Sequence, residues 1–195
     1  MSRNGRKLFK INWLQLAGGG MALPSYLNPL GVPPTGEKAF VQPVLAANGT
    51  LGGSSFAVAG SSLWDGDYWW AFDNDAATRW HSSGGMPQWM TIYNPEPLKL
   101  RKLTITTSSN SGHKGITTGS VLGSNDNVSW ETIAGFSNSV TDRGATFDIP
   151  VNSGKFFKYH QLHITGSAYS TWIGTCAVIA EIKLDAVTPA EFLYN

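Results

Sequence analysis

The amino-acid sequence predicts an all-β protein: a jelly-roll sandwich of about eight short strands behind an extended N-terminal arm. Three observations lead there. From residue 46 onward, short stretches rich in β-branched and aromatic residues recur, with Gly, Asn, Ser and Pro filling the gaps between them. Several of these stretches alternate with the two-residue period of a strand. The composition is 42% apolar and 12% aromatic but only 14% charged, which suits a folded chain with polar loops and not a disordered one.

Taken in order, residues 1–45 differ from the rest. They hold Gly18-Gly19-Gly20, Pro24, Pro29, Pro33-Pro34 and Pro43, and such punctuation leaves no sustained period. A short helix over Lys7–Leu16 is the one regular element expected there, because Leu8, Ile11 and Leu14 fall roughly on one face. The domain proper is expected over residues 46–195. Strands are predicted at Ser55–Ala59, Gln88–Tyr93, Lys99–Thr106, Ser120–Gly123, Trp130–Ala134, Ala145–Ile149, Phe156–Thr165 and Val178–Leu184. Alternation is clearest in the third and seventh. Leu103, Ile105 and Thr107 oppose Thr104 and Thr106, while His160, Leu162 and Ile164 oppose Tyr159, Gln161 and His163. Strands without helices imply a sandwich or jelly roll.

Charge and cysteine content narrow the function. The net charge is +1, and a surface that tracks phosphates needs clustered Lys and Arg, so nucleic acid is not the expected partner. Four of the fourteen basic residues, Arg3, Arg6, Lys7 and Lys10, stand in the first ten positions. The single cysteine, Cys176, excludes an intrachain disulfide and reads as a small buried hydrophobe. No apolar run has the length of a membrane span. Lys10, Asn12 and Gln15 interrupt the apolar stretch after the basic start, which argues against a secretory signal. Nucleophile-elbow, zinc-protease and phosphate-loop motifs are missing, so the chain is not expected to be an enzyme.

Three phrases then occur in order. Ala71-Phe72-Asp73-Asn74-Asp75-Ala76-Ala77-Thr78-Arg79-Trp80 is followed by Pro87-Gln88-Trp89-Met90-Thr91-Ile92-Tyr93, and later by Gly123-Ser124-Asn125-Asp126-Asn127-Val128-Ser129-Trp130. Together with Phe156, Phe157 and Tyr159 and the last strand Ile179-Ala180-Glu181-Ile182-Lys183-Leu184, they resemble the discoidin family, the coagulation factor 5/8 type C domains and related galactose-binding-like modules. The resemblance covers about residues 46–186 and implies a discoidin-like jelly roll. One departure is that Asn74 and Asn127 stand where the family usually has Gly. Asn tolerates the left-handed conformation that such turns need.

What the resemblance implies for sites falls into three sets. Bacterial relatives hold a structural Ca²⁺ in the turn matching Asp73–Thr78, completed by a Glu on the last strand. Asp73, Asp75, Thr78 and Glu181 are the matching metal-ligand candidates, and a hard cation suits their oxygens. The competing reading is an Asx-turn whose carboxylates cap backbone amides. Trp80, Trp89 and Trp130 occupy motif positions and are expected in the core. Trp64, Trp69, Trp70 and Trp172 lie in loop-like stretches with Tyr68 and Tyr169, where an aromatic can stack on a sugar or cap the end of the sandwich. Relatives bind galactose-like sugars with His, Arg, Asn and an aromatic on loops at one end. His81, Asn110, His113 and Lys114, with Tyr169 or Trp172 and the pair Trp69–Trp70, are the corresponding candidates.

The sequence therefore reads as a non-catalytic virion protein of a phage tail, collar or capsid surface. Its arm would join other virion subunits in a homo-oligomer or larger assembly, and its domain would adhere to host surface carbohydrate. The alternatives are a purely structural decoration protein without a glycan ligand, and a secreted, extracellular bacterial carbohydrate-binding module.

Overall fold

A computed structural model of the chain describes residues 36–172 and 174–190. The arm over residues 1–35 and the helix expected at Lys7–Leu16 lie outside the described residues. Twelve strands run in chain order among the described residues: β1 (Glu37–Ala39), β2 (Ala57–Gly60), β3 (Asp65–Gly66), β4 (Trp80–His81), β5 (Gln88–Thr107), β6 (Ile116–Ser124), β7 (Glu131–Ser137), β8 (Thr146–Pro150), β9 (Phe157–Ser167), β10 (Ser170–Thr171), β11 (Gly174–Thr175) and β12 (Val178–Pro189). One 3-10 turn, Trp69–Phe72, interrupts them.

β5 links the two layers of the sandwich. Its first half, Gln88–Tyr93, pairs antiparallel with β2 and β9, and β6 and β7 continue that layer. Its second half pairs with β12 on one side and β8 on the other. The two strands predicted at Gln88–Tyr93 and Lys99–Thr106 are thus one bent strand. The bend falls at Asn94–Pro97, where Pro95 and Pro97 bring no N–H to a ladder and the Asn94 amide donates to the Glu96 carbonyl (2.7 Å). Such a corner lets one strand serve both sheets.

The alternation read from β5 and β9 sets the core. Met90, Ile92, Leu103 and Ile105 of β5 meet Leu162 and Ile164 of β9 and Ile179 and Ile182 of β12, all at 1% exposure or less. Each such side chain removes enough apolar surface from water to contribute about 1.5–3 kcal/mol. Trp80 is fully buried among them and donates its indole N–H to the Ser62 carbonyl (3.0 Å).

The expectation that Trp89 and Trp130 also fill the core is corrected. Met90 and Ile92 take the inward positions of β5, so Trp89 falls on the opposite face, in register with His163 of β9. Trp130 precedes β7 and lines a shallow surface cleft with Asn125, Asp126 and Phe157.

Residues 36–45, which the sequence places in the arm, lie against the sandwich. β1 pairs with the end of β12, and Phe40 stacks on Phe56. The Gln42 side-chain amide acts like a short strand of its own. It donates to the Ile182 carbonyl (2.9 Å) and accepts the Leu184 N–H (2.7 Å). Pro43 interrupts the pattern in the sequence, and this side chain supplies the pairing that the backbone does not.

Candidate functional site

Three elements converge at one end of the sandwich. β4 lies between β3 and β12, and alternation turns Trp80 into the core and His81 the other way. The loop after β5 folds on itself: Asn110 donates its N–H to Ser108 Oγ (3.2 Å), and its carbonyl accepts the His113 N–H (3.2 Å). This turn brings the His113 ring back to Ser108, with Nδ1 2.9 Å from the hydroxyl. Tyr169, after β9, is tied by its carbonyl to the Cys176 N–H (3.0 Å).

The three rings form one cluster. Ring centroids lie 5.3 Å apart for His81 and His113, 5.6 Å for His81 and Tyr169, and 4.8 Å for His113 and Tyr169. Arg79, one strand period from His81, reaches Asp65 in an ion pair beside them. Burial, followed by His113 and the Arg79 cation, pushes His81 down to about 4. Burial and Arg79 also hold His113 below the ordinary imidazole value. Both imidazoles are therefore neutral at neutral pH, and a neutral imidazole offers one donor and one acceptor. A tilted tyrosine face and paired neutral imidazoles suit a ligand with hydroxyls on one side and C–H groups on another.

Gly66 holds this corner together. Its φ of +83° favours glycine, and a Cβ there would fall on the Arg79 carbonyl. Without a side chain it lets β3 approach β4, which sets Asp65 against Arg79.

Of the residues predicted for ligand binding, the structure gathers His81, His113 and Tyr169. Asn110 shapes the loop by its backbone. Lys114 pairs with Asp142 at 3.4 Å on the rim of the adjoining cleft, where Arg143 also stands. Trp69 packs on the core and stands perpendicular to Trp70, and its N–H donates to Asn48 Oδ1 (2.9 Å). Trp172 is 86% exposed and meets Trp64. Sequence reasoning missed Asp65 and Arg79. The two-residue spacing of Arg79 and His81 was a usable signal, whereas nothing local marks Asp65.

A second site forms at the acidic turn. The Thr78 hydroxyl lies 2.8 Å from Asp73 Oδ2, 2.7 Å from the Asp75 carbonyl and 3.3 Å from the Trp70 carbonyl. Glu181, 5% exposed, faces Asp73, and its Oε1 is buried without a hydrogen-bond partner. Burial and then Asp73 push Glu181 up to about 7. The Asp75 carboxylate points away and caps the Ala77 N–H (2.9 Å). So Asp73, Thr78 and Glu181 converge, while Asp75 offers its carbonyl. Among the described residues no three His, Cys, Asp or Glu side chains gather as a metal cluster. The oxygen-only donor set and the orphaned Glu181 oxygen nevertheless fit a hard cation. Asn74 at this turn and Asn127 at the later one both adopt the left-handed conformation, with φ of 59° and 60°.

The F5/8 type C domain model matches residues 57–179. The chain belongs to this family. Solved structures with the same fold include CpGH89CBM32-5 from Clostridium perfringens, in complex with GalNAc-β-1,3-galactose. It is 19% identical, with a TM-score of 0.57 over 68% of this chain and 94% of that one. The family 32 carbohydrate-binding module of NanJ from C. perfringens, in complex with galactose, is 16% identical, with a TM-score of 0.56 over 66% and 92%. Chitosan-binding module 2 from the chitosanase/glucanase of Paenibacillus sp. IK-5, in complex with chitotriose, is 26% identical, with a TM-score of 0.51 over 68% and 97%. No curated protein matches the chain. Among the described residues, no helix is long and apolar enough to cross a membrane.

Proposed function

We propose that this F5/8 type C domain is a non-catalytic glycan-binding module that reads a sugar at the His81–His113–Tyr169 end. The observation that carries the reading is the cluster itself. Two imidazoles held neutral lie in ring contact with a tyrosine, beside the Asp65–Arg79 pair. Neutral imidazoles can donate to and accept from the hydroxyls of one sugar, and Tyr169 can take its C–H face. The glycans bound by similarly folded modules support this choice of ligand class.

Calorimetric titration of the full chain with galactose, N-acetylgalactosamine and chitotriose tests it. At least one should bind, and His113→Ala should weaken that binding by about ten- to a hundredfold, the worth of one well-placed anchor. Failure of all three to bind, together with a blank glycan array, would refute the reading.

A divalent cation, Ca²⁺ by its donor set, belongs in this proposal as a structural group held by Asp73, Glu181, Thr78 and the Trp70 and Asp75 carbonyls. It would fix the turn that leads into β4. We also place the module in a phage virion, with residues 1–35 as the anchor to other subunits. The basic, Gly/Pro-rich composition of that segment supports this setting. Deleting residues 2–35 should abolish incorporation into particles, and normal incorporation would rule the anchor out.

A further inference from the structure

The β5–β6 loop and the β7–β8 loop close on each other beside the ring cluster. The Gly144 N–H donates to the Ser108 carbonyl (3.1 Å), the Gly115 N–H to the Thr141 carbonyl (2.9 Å) and the Thr107 N–H to the Ala145 carbonyl (2.9 Å). The Thr107 hydroxyl donates to the Asp142 carbonyl (2.5 Å). A Cβ on Gly115 would fall against Thr107 and Thr141, so the glycine permits this approach. Ser108 is also the residue whose hydroxyl meets His113 Nδ1. One short piece of backbone therefore holds both His113 and the turn that carries Arg143.

Between the two loops lies an open cleft of about 370 Å³, lined by Gly112, His113, Lys114, Asp142 and Arg143. Its size falls within the usual range of small-ligand sites. His113 belongs to this cleft and to the ring cluster alike. The cleft and the cluster thus share a side chain, and a ligand seated on one has the other across a single imidazole.

The charges in the cleft are two cations against one anion. Lys114 reaches Asp142 at 3.4 Å, with both side chains exposed. Such a surface pair is weak, so an incoming anion can take Lys114 over. Arg143 holds no acid. Of the three arginines among the described residues, Arg79 pairs with Asp65 and Arg101 with Glu37, whereas Arg143 has neither an ion pair nor a side-chain hydrogen bond among them. A guanidinium left free on a cleft wall can take an oxyanion with two parallel N–H donors. His113, held below the ordinary imidazole value by burial and the Arg79 cation, adds no charge of its own. Lys114 and Arg143 therefore set the preference of the cleft.

We infer that the ligand is an acidic glycan: a sugar read by His81, His113 and Tyr169 that carries a carboxylate or sulfate ester into the cleft, onto Lys114 and Arg143. This rests on the glycan-binding reading above and adds the charge of the ligand.

The test is titration of the full chain with galactose, galacturonic acid, galactose 3-sulfate and galactose 6-sulfate at one fixed ionic strength. At least one acidic sugar should bind roughly tenfold more tightly than galactose, the gain of one charge-assisted contact at an open site. Arg143→Gln should remove most of that gain, and Lys114→Gln should reduce it. Asp142→Asn removes the opposing carboxylate and should widen it. Arg101→Gln, which removes the same charge outside the cleft, should leave it intact. His113→Ala should weaken neutral and acidic sugars alike.

Equal affinity for galactose and all three acidic sugars, or an acidic gain that survives Arg143→Gln and Lys114→Gln together, overturns the inference and leaves the glycan-binding reading intact. A gain that falls as far in Arg101→Gln as in Arg143→Gln is bulk attraction and overturns it too. Failure of all four sugars to bind also overturns it, and the titrations with N-acetylgalactosamine and chitotriose and the glycan array then decide the glycan-binding reading.

Discussion

Lowering the pH from 7 to 4.5 is expected to cost the parent about 2–3 kcal/mol more stability than it costs the His160→Leu variant. His160 lies on the inward face of β9, 1% exposed, with its ring edge-on to Phe157 and its Nε2 without a hydrogen-bond partner. Burial alone pushes it down to about 4. The sign follows from proton counting. Between the folded value and the ordinary 6.5, the unfolded chain holds a proton on this residue that the folded chain does not. Stability therefore falls as pH drops through that window and bottoms out below about 4. Leucine has no proton to gain and occupies a similar volume, so its shape penalty, below about 1.5 kcal/mol, does not vary with pH.

The measurement is the unfolding temperature of both proteins from pH 7 to pH 4. His81 and His113, both held below the ordinary imidazole value, are present in both proteins, so the difference isolates His160. Parallel curves would show that the imidazole is solvated in the folded state. The reason to keep a histidine here is not visible in the fold, since it makes no hydrogen bond through Nε2.

The sequence carried the sandwich because two of its properties are local. Alternation in β5 and β9 depends only on the pleat, and it places Leu103, Ile105, Leu162 and Ile164 on the correct face. The left-handed turns at Asn74 and Asn127 are likewise a property of one residue and its neighbours. The failures share the opposite character. Trp89 and Trp130 occupy motif positions, yet Met90 and Ile92 had already claimed the inward side of β5, and Trp130, just before β7, lines a surface cleft. β3, β4, β10 and β11 are two residues long and have no period to read. The Gln42 clamp on β12 joins residues about 140 apart through a side chain.

The site divides in the same way. His81, His113 and Tyr169 could be named as candidates because His, Tyr and loop position are legible. Their meeting depends on three loops that sequence does not order in space. Asp65 and Arg79 enter only when β3 pairs with β4.

Chelating divalent cations is expected to lower the unfolding temperature by roughly 8–16 °C. The starting point is the meeting of Asp73 with the buried Glu181, whose Oε1 has no partner. Two carboxylates facing each other in a desolvated turn destabilise the folded state unless a proton or a cation lies between them. A cation that binds only the folded chain stabilises it by about 4 kcal/mol when present at a thousand times its dissociation constant. In a domain of this size each kcal/mol moves the midpoint by about 2–4 °C.

Two variants separate the cation from ordinary turn stability. Glu181→Gln keeps the shape but removes a ligand charge, so its midpoint should no longer rise when Ca²⁺ is restored. Asp75→Ala loses the cap on Ala77 and about 1 kcal/mol, but it keeps the carbonyl that faces the site, so its response to Ca²⁺ should persist. A parent midpoint that ignores both chelator and Ca²⁺ would leave the turn as an Asx-turn alone. Loss of the ion should also loosen residues 42–44, because Gln42, Pro43 and Val44 line one cleft with Asn74, Glu181 and Lys183. Faster proteolysis of that segment in chelator would report it. The acidic turn and the segment that leads into the domain would then respond to one ion, because Gln42 is clamped to the strand that carries Glu181.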